Sequence, residues 1–231
     1  MKLVFLRDED RRRIEAAVCE AERRTTAELV TVIADASGGY HYMPTLLAAA
    51  AVFVLSGLAL LLPIRWEFAA FYAAQVFLFI GLALTLNWRP VRFRIVPRSV
   101  QRRQAHLLAH EQFLDLGLSS TAARTGLMLF VSAAEHYVEI IADRGIREKV
   151  DDTAWGGIVD NFIAEVRAAR ITDGFVHAIE ACTEILAREF PWHEGDKNEI
   201  PNQVIQISLY PPRHARNRTR RRAADNLLDQ D

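Results

Sequence analysis

Two uninterrupted apolar blocks dominate the pattern of this chain: residues 45–62 (TLLAAAAVFVLSGLALLL) and 68–88 (FAAFYAAQVFLFIGLALTLNW) carry no charge, while nearly every other window carries several. At about 1.5 Å per residue they make helices of roughly 27 and 32 Å, close to the roughly 30 Å of hydrocarbon in a bilayer. Neither keeps the polar stripe of a helix packed in a soluble core. Between them lie Pro63, Ile64, Arg65, Trp66 and Glu67. The two charges there would cost about 2.5–3.5 kcal/mol each at mid-bilayer and so belong at an interface. The pattern predicts a transmembrane helical hairpin over residues 44–88, with the lipid bilayer as its partner.

The remainder follows helix and strand periods. In residues 8–24, Ile14, Ala17, Val18 and Ala21 recur at helical spacing behind an acidic start, Asp8 to Asp10, that suits a helix N-terminus. AELVTVIAD (27–35) reads as a strand covered on both faces. SVQRRQAHLLAHEQFLDLG predicts a helix burying Val100, Leu107, Leu108 and Leu114, stopped by Gly117. TGLMLFVSA and HYVEIIAD, joined through a short Ala-Glu turn, predict an antiparallel hairpin. One helix then follows Asp151 and Asp152, and another starts near Thr172 and buries Phe175, Ile179, Cys182 and Leu186. This order predicts an α/β/α sandwich around a small mixed sheet, interrupted by the two-helix membrane hairpin. Residues 1–43 and 89–193 are expected to form one split domain, with 194–231 a disordered, Arg-rich tail. An insertion whose ends lie a helix-pair spacing apart, roughly 10 Å, lengthens a loop at small entropic cost.

Charge adds orientation. The formal net charge of −1 gives no whole-protein case for nucleic-acid binding. Arg89, Arg92, Arg94, Arg98, Arg102 and Arg103 follow the second apolar block with no acid before Glu111, the signature of a cytoplasmic flank. MKLVFLRDEDRRR turns polar too soon for an export signal. Both termini are therefore expected on the cytoplasmic side, as in a bacterial inner-membrane protein. Arg213, Arg216, Arg218, Arg220, Arg221 and Arg222 crowd the tail. With Arg89, Arg92, Arg94 and Arg98 they suit anionic lipid headgroups, at about 1 kcal/mol each; the run lacks the aromatics that stack on RNA bases. Cys19 and Cys182 have no metal spacing and are expected to be buried as small hydrophobes.

Candidate chemistry follows from topology. A right-handed crossover makes the first two strands parallel, and the tight turn sends the third back. The start of the first strand then meets the end of the third, gathering Glu28, Asp143, Asp151 and Asp152 at one sheet edge. Such carboxylates suit a hard cation, Ca²⁺ or Mg²⁺. The same residues also suit helix caps, turns and a solvated strand end. Asp35, seven residues along, lies roughly 23 Å away at the other edge. His106 and His110 share a helix face beside Glu111, but no third ligand is identifiable from the sequence and the order is not HExxH. They read as a polar face. Gly156 and Gly157 are expected to permit close helix packing. No GxSxG, P-loop or dinucleotide fingerprint occurs, so no nucleophile is assembled.

AELVTVIAD, TGLMLFVSAAEHYVEIIADRGI and KVDDTAWGGIVDNF, in that order, resemble the TPM domain family over about 8–35 and 99–190. The resemblance implies an α/β/α sandwich, divalent-cation binding in some members and a weak acid-phosphatase activity in a few. The expected function is a membrane-anchored, cation-binding scaffold or regulator of membrane-protein partners. The alternatives are a metal-assisted phosphomonoesterase and a hairpin that oligomerises through Ser56, Gly57 and Gly81.

Overall fold

The computed structural model describes residues 6–40, 42–62, 67–194, 198–201 and 204–208. The link at 63–66 and the tail arginines at 213–222 lie outside these residues. By its packing the chain forms two units, residues 1–37 with 105–231, and residues 38–104.

The first unit is a four-stranded mixed sheet between helices. β1 (Glu28–Ala34) pairs in parallel with β2 (Gly126–Ser132), and β2 pairs antiparallel with β3 (Tyr137–Ala142). With β4 (Ile205–Ile207) on the far side of β1, the order is β3-β2-β1-β4. The period of two splits each strand between the faces. Leu29, Leu127, Leu129, Val131, Val138 and Ile140 point to one side, where α1 (Asp8–Glu22), α7 (Gly156–Arg167) and α8 (Ile171–Glu189) bring Ile14, Phe162 and Phe175. Val30, Val32, Met128, Phe130 and Ile141 point to the other, under Ala105, Ala109 and Phe113 of α5 (Arg98–Asp115). This is the expected α/β/α sandwich.

Gly126 marks where the chain packs tightest. A Cβ there would lie within 2.4 Å of the Leu118 carbonyl oxygen, so β2 can start beneath the 3-10 turn Leu118–Ser120 only with glycine.

Several expectations are corrected. The helical face of α5 that is buried is Ala105, Ala109 and Phe113, while Leu107 and Leu114 are exposed; small residues let the helix approach the sheet closely. Cys182 is buried as expected, but Cys19 is exposed because it follows Val18 and turns off the Ile14–Val18–Ala21 face. Gly156 and Gly157 pack against nothing: a Cβ on either meets open space. The domain also continues past residue 193. β4 (Ile205–Ile207) pairs in parallel with β1, and Ile200 and Val204 enter the two cores.

The second unit contains α2 (Tyr42–Leu60), α3 (Phe68–Leu86) and the short α4 (Arg89–Ile95). α2 packs against α3. Asn87 Nδ2 donates to Thr45 Oγ1 at 3.2 Å, which brings the end of α3 beside the start of α2. Both helices are long and apolar enough to cross a membrane. Their large side chains point outward: Phe53 is 78% exposed, Phe68 86% and Phe77 76%. Gly57 and Gly81 likewise face away from the pair. Arg92, expected to meet lipid headgroups, is buried instead, with its guanidinium 5.6 Å from the Phe93 ring. Arg94 and Arg98 are exposed.

Candidate functional site

Parallel pairing of β1 with β2 places Glu28 opposite Gly126, and the Gly126 carbonyl accepts the Asp143 amide at 2.8 Å as β3 ends. Glu28 and Asp143 thus occupy one edge of the sheet, where topology put them. Both are buried. Glu28 Oε1 accepts the Glu199 amide at 2.8 Å, a contact made by the segment leading to β4. Asp143 caps the single-turn helix α6 (Arg144–Arg147), its Oδ1 accepting the Arg144 amide at 2.7 Å. Its Oδ2 is buried without a hydrogen-bond partner among the described residues. Such an oxygen is costly unless something compensates it.

Asp151 and Asp152 stand at the next chain reversal and are exposed. Asp151 caps the 3-10 turn Asp152–Trp155: its Oδ1 accepts the Thr153 hydroxyl at 2.6 Å and the Thr153 amide at 2.9 Å. The hydroxyl first, and the amide after it, hold the Asp151 carboxyl below its ordinary value. No three of Glu28, Asp143, Asp151 and Asp152 bring ligand oxygens within 4.8 Å of one another. Asp35 lies at the other end of β1, as expected, where its Oδ2 accepts the Ser208 hydroxyl.

Beside Glu28 opens a cleft of about 410 Å³, lined by Cys19, Arg23, Thr26 and Trp192 among others. Its floor is fixed by Thr25, whose hydroxyl donates to the Phe190 carbonyl at 2.7 Å and accepts the Ala27 amide. Thus the cleft adds a polar wall and one exposed thiol to the acidic edge.

At the opposite end of the parallel strands a buried polar clasp joins Ser37, Ser132 and Glu135. Ser37 Oγ donates to Ser132 Oγ at 2.7 Å, Ser132 Oγ donates to Glu135 Oε2, and Glu135 Oε1 accepts the Ser37 amide at 3.0 Å. No histidine takes part in these bonds, and the hydroxyls are shut off from solvent. The clasp secures the exit of β1 to the β2–β3 turn.

Glu139 was not legible as a site residue. In β3 it sits on the same face as Tyr137 and Ile141, and it meets His106 and His110 from α5. A single acid in an alternating strand reads as solvated; only the helix lying over that face reveals its neighbours.

A family model described as the TPM domain matches residues 90–185. No curated protein matches the sequence. The NMR structure of the BA42 protein from the psychrophilic bacterium Bizionia argentinensis is similar in fold, with a TM-score of 0.55 at 17% identity, covering 89% of this chain and 98% of that one. The matched residues run from the start of α4 through the hairpin β2–β3 into α8, and over this stretch the chain is similar to the TPM domain family.

Proposed function

We propose that this chain is a membrane-anchored TPM domain, in which the α2–α3 hairpin crosses the bilayer and the α/β body serves as a divalent-cation-responsive scaffold for membrane-protein partners. One observation carries the anchoring: two adjacent 19-residue helices expose phenylalanine, leucine and valine on every outward face. In water each such side chain forgoes about 1.5–3 kcal/mol of burial, whereas lipid supplies it. Exposed Arg94 and Arg98 after the second helix support a cytoplasmic flank. Expressed in a bacterium, the chain should resist extraction by alkaline carbonate and leave the membrane with detergent. A reporter fused after Asp231 should be active inside only. Release by carbonate, or an externally active reporter, defeats the anchoring or the orientation respectively.

Cation binding at the acidic edge is supported by the placement of Glu28 and Asp143 at one end of the sheet and by the buried Oδ2 of Asp143, which has no hydrogen-bond partner among the described residues. Exposed Asp152 supplies a further carboxylate on the following turn. Calorimetric titration of the detergent-solubilised protein with calcium and with magnesium should show binding that the paired change Glu28→Ala, Asp152→Ala removes. Unchanged affinity refutes the site. The phosphomonoesterase alternative requires metal-dependent turnover of a chromogenic phosphate ester that Asp152→Ala abolishes; binding without turnover favours the scaffold.

A further inference from the structure

We propose a second metal site, specific for a borderline transition ion of the zinc class, formed by His106, His110 and Glu139. It stands apart from the acidic edge and does not rest on the reading of that edge. α5 is held on the sheet by Ala105 and Ala109, and each histidine follows one of these alanines, so both imidazoles emerge on the same flank of the helix one turn apart. Beneath them runs β3, an edge strand, with Glu139 on the covered face. His106 Nδ1 lies 2.9 Å from Glu139 Oε1 and 3.1 Å from Oε2. His110 Nε2 lies 3.9 Å from the same Oε1, and the two rings meet edge-on at 4.3 Å. One ligand atom from each residue falls within 4.8 Å of the others.

A hydrogen bond explains His106 but not His110, whose separation from the carboxylate exceeds hydrogen-bonding range. A tetrahedral zinc with bonds of roughly 2.0–2.2 Å sets its ligands about 3.3 Å apart. The observed spacings bracket that value, so small rotations of exposed imidazoles suffice. Two nitrogens and one oxygen are the donors of transition ions, whereas calcium and magnesium select oxygen alone. Tyr137 completes the arrangement: its hydroxyl donates to Glu139 Oε2 at 3.0 Å and holds the carboxylate in place, as outer-shell partners of metal ligands do. Each histidine side chain is 49% exposed, which gives an ion its entry and leaves the fourth coordination position to water.

The test is titration of the full detergent-solubilised chain with zinc alone by calorimetry, and with cobalt by visible absorption. Expected are one zinc per chain at micromolar affinity or tighter, unaffected by excess calcium, and cobalt bands of tetrahedral intensity. His106→Gln, His110→Gln and Glu139→Gln should each weaken zinc binding by roughly tenfold or more, and Tyr137→Phe by less. Zinc should also raise the melting temperature of the parent protein and fail to raise that of His110→Gln, whose exposed position leaves folding intact. Absence of binding, or binding that the three ligand changes leave unaltered, overturns the site. Displacement of zinc by calcium overturns its proposed selectivity.

Discussion

Cys182 shows what burial does to a single group. Packed in α8 with Phe175, Ile179 and Leu186, its thiol is pushed up to about 12 by desolvation, from an ordinary 9.0. The folded state therefore keeps its proton where the unfolded state loses it. Stability from this group is complete below pH 9.0 and falls away as pH rises from there towards about 12. A thiol-specific reagent at mildly alkaline pH should label exposed Cys19 in the native protein and Cys182 only after denaturation; rapid native labelling of both would refute the burial. Ala169 carries the opposite lesson, a residue at odds with its conformation. It ends α7 at φ 61°, with Ala169 N donating to the Val166 carbonyl and Arg170 N to the Glu165 carbonyl, a helix stop normally made by glycine. Ala169→Gly should raise stability by about 1 kcal/mol, read from chemical denaturation. The Cys182 environment was legible because Phe175, Ile179, Cys182 and Leu186 share one helical period. The exposure of Cys19 was equally legible, one position off the Ile14–Val18–Ala21 face, whereas Glu139 was not, since the period of β3 fixes which face a residue takes but not what covers that face.

At the scale of elements, α7 and α8 form the thicker layer, joined by the edge-on pair Phe162 and Phe175 at 4.8 Å and closed by the Arg170 to Glu165 hydrogen bond. Phe162→Ala should cost about 3–5 kcal/mol in denaturant midpoint experiments, because the space it leaves lies between two helices and cannot collapse. β4 was hidden by its surroundings: a polar run from Glu194 to Glu199 reads as the onset of a tail, and three residues make a weak strand signal. Its evidence was the apolar alternation in QVIQISL, which β1 makes meaningful by offering an unpaired edge. Val204→Asp places a charge in the core beneath this strand and should destabilise the fold by several kcal/mol, with aggregation on heating. A melting temperature equal to the parent's would mean that residues 198–208 are dispensable.

At the scale of the whole molecule, the sequence order of helix, strand, apolar pair, helix, hairpin and two helices was sufficient to deduce the sandwich, because the periods of the shorter apolar runs separate strands from helices. The sequence also predicts that an insertion of this length is accommodated because its ends lie a helix-pair spacing apart, roughly 10 Å. The hydrogen bond between Asn87 and Thr45 holds those ends together: the hairpin begins and ends at neighbouring points, so its length never enters the geometry of its ends. Loop-closure entropy rises by only about 0.6 kcal/mol for each doubling of loop length, and paired ends make even that an overestimate. Replacing residues 45–87 with a short glycine-serine linker should therefore yield a protein that stays in the supernatant without detergent, retains far-UV dichroism of a mixed α/β domain and unfolds in one cooperative step. Were the shortened chain to remain insoluble or lose cooperativity, the hairpin would be a structural member of the domain. A soluble, cooperative product instead makes the two apolar helices an anchor grafted onto a self-sufficient α/β domain, with zinc affinity at His106, His110 and Glu139 carried over unchanged because every one of those ligands lies in the sheet-bearing unit.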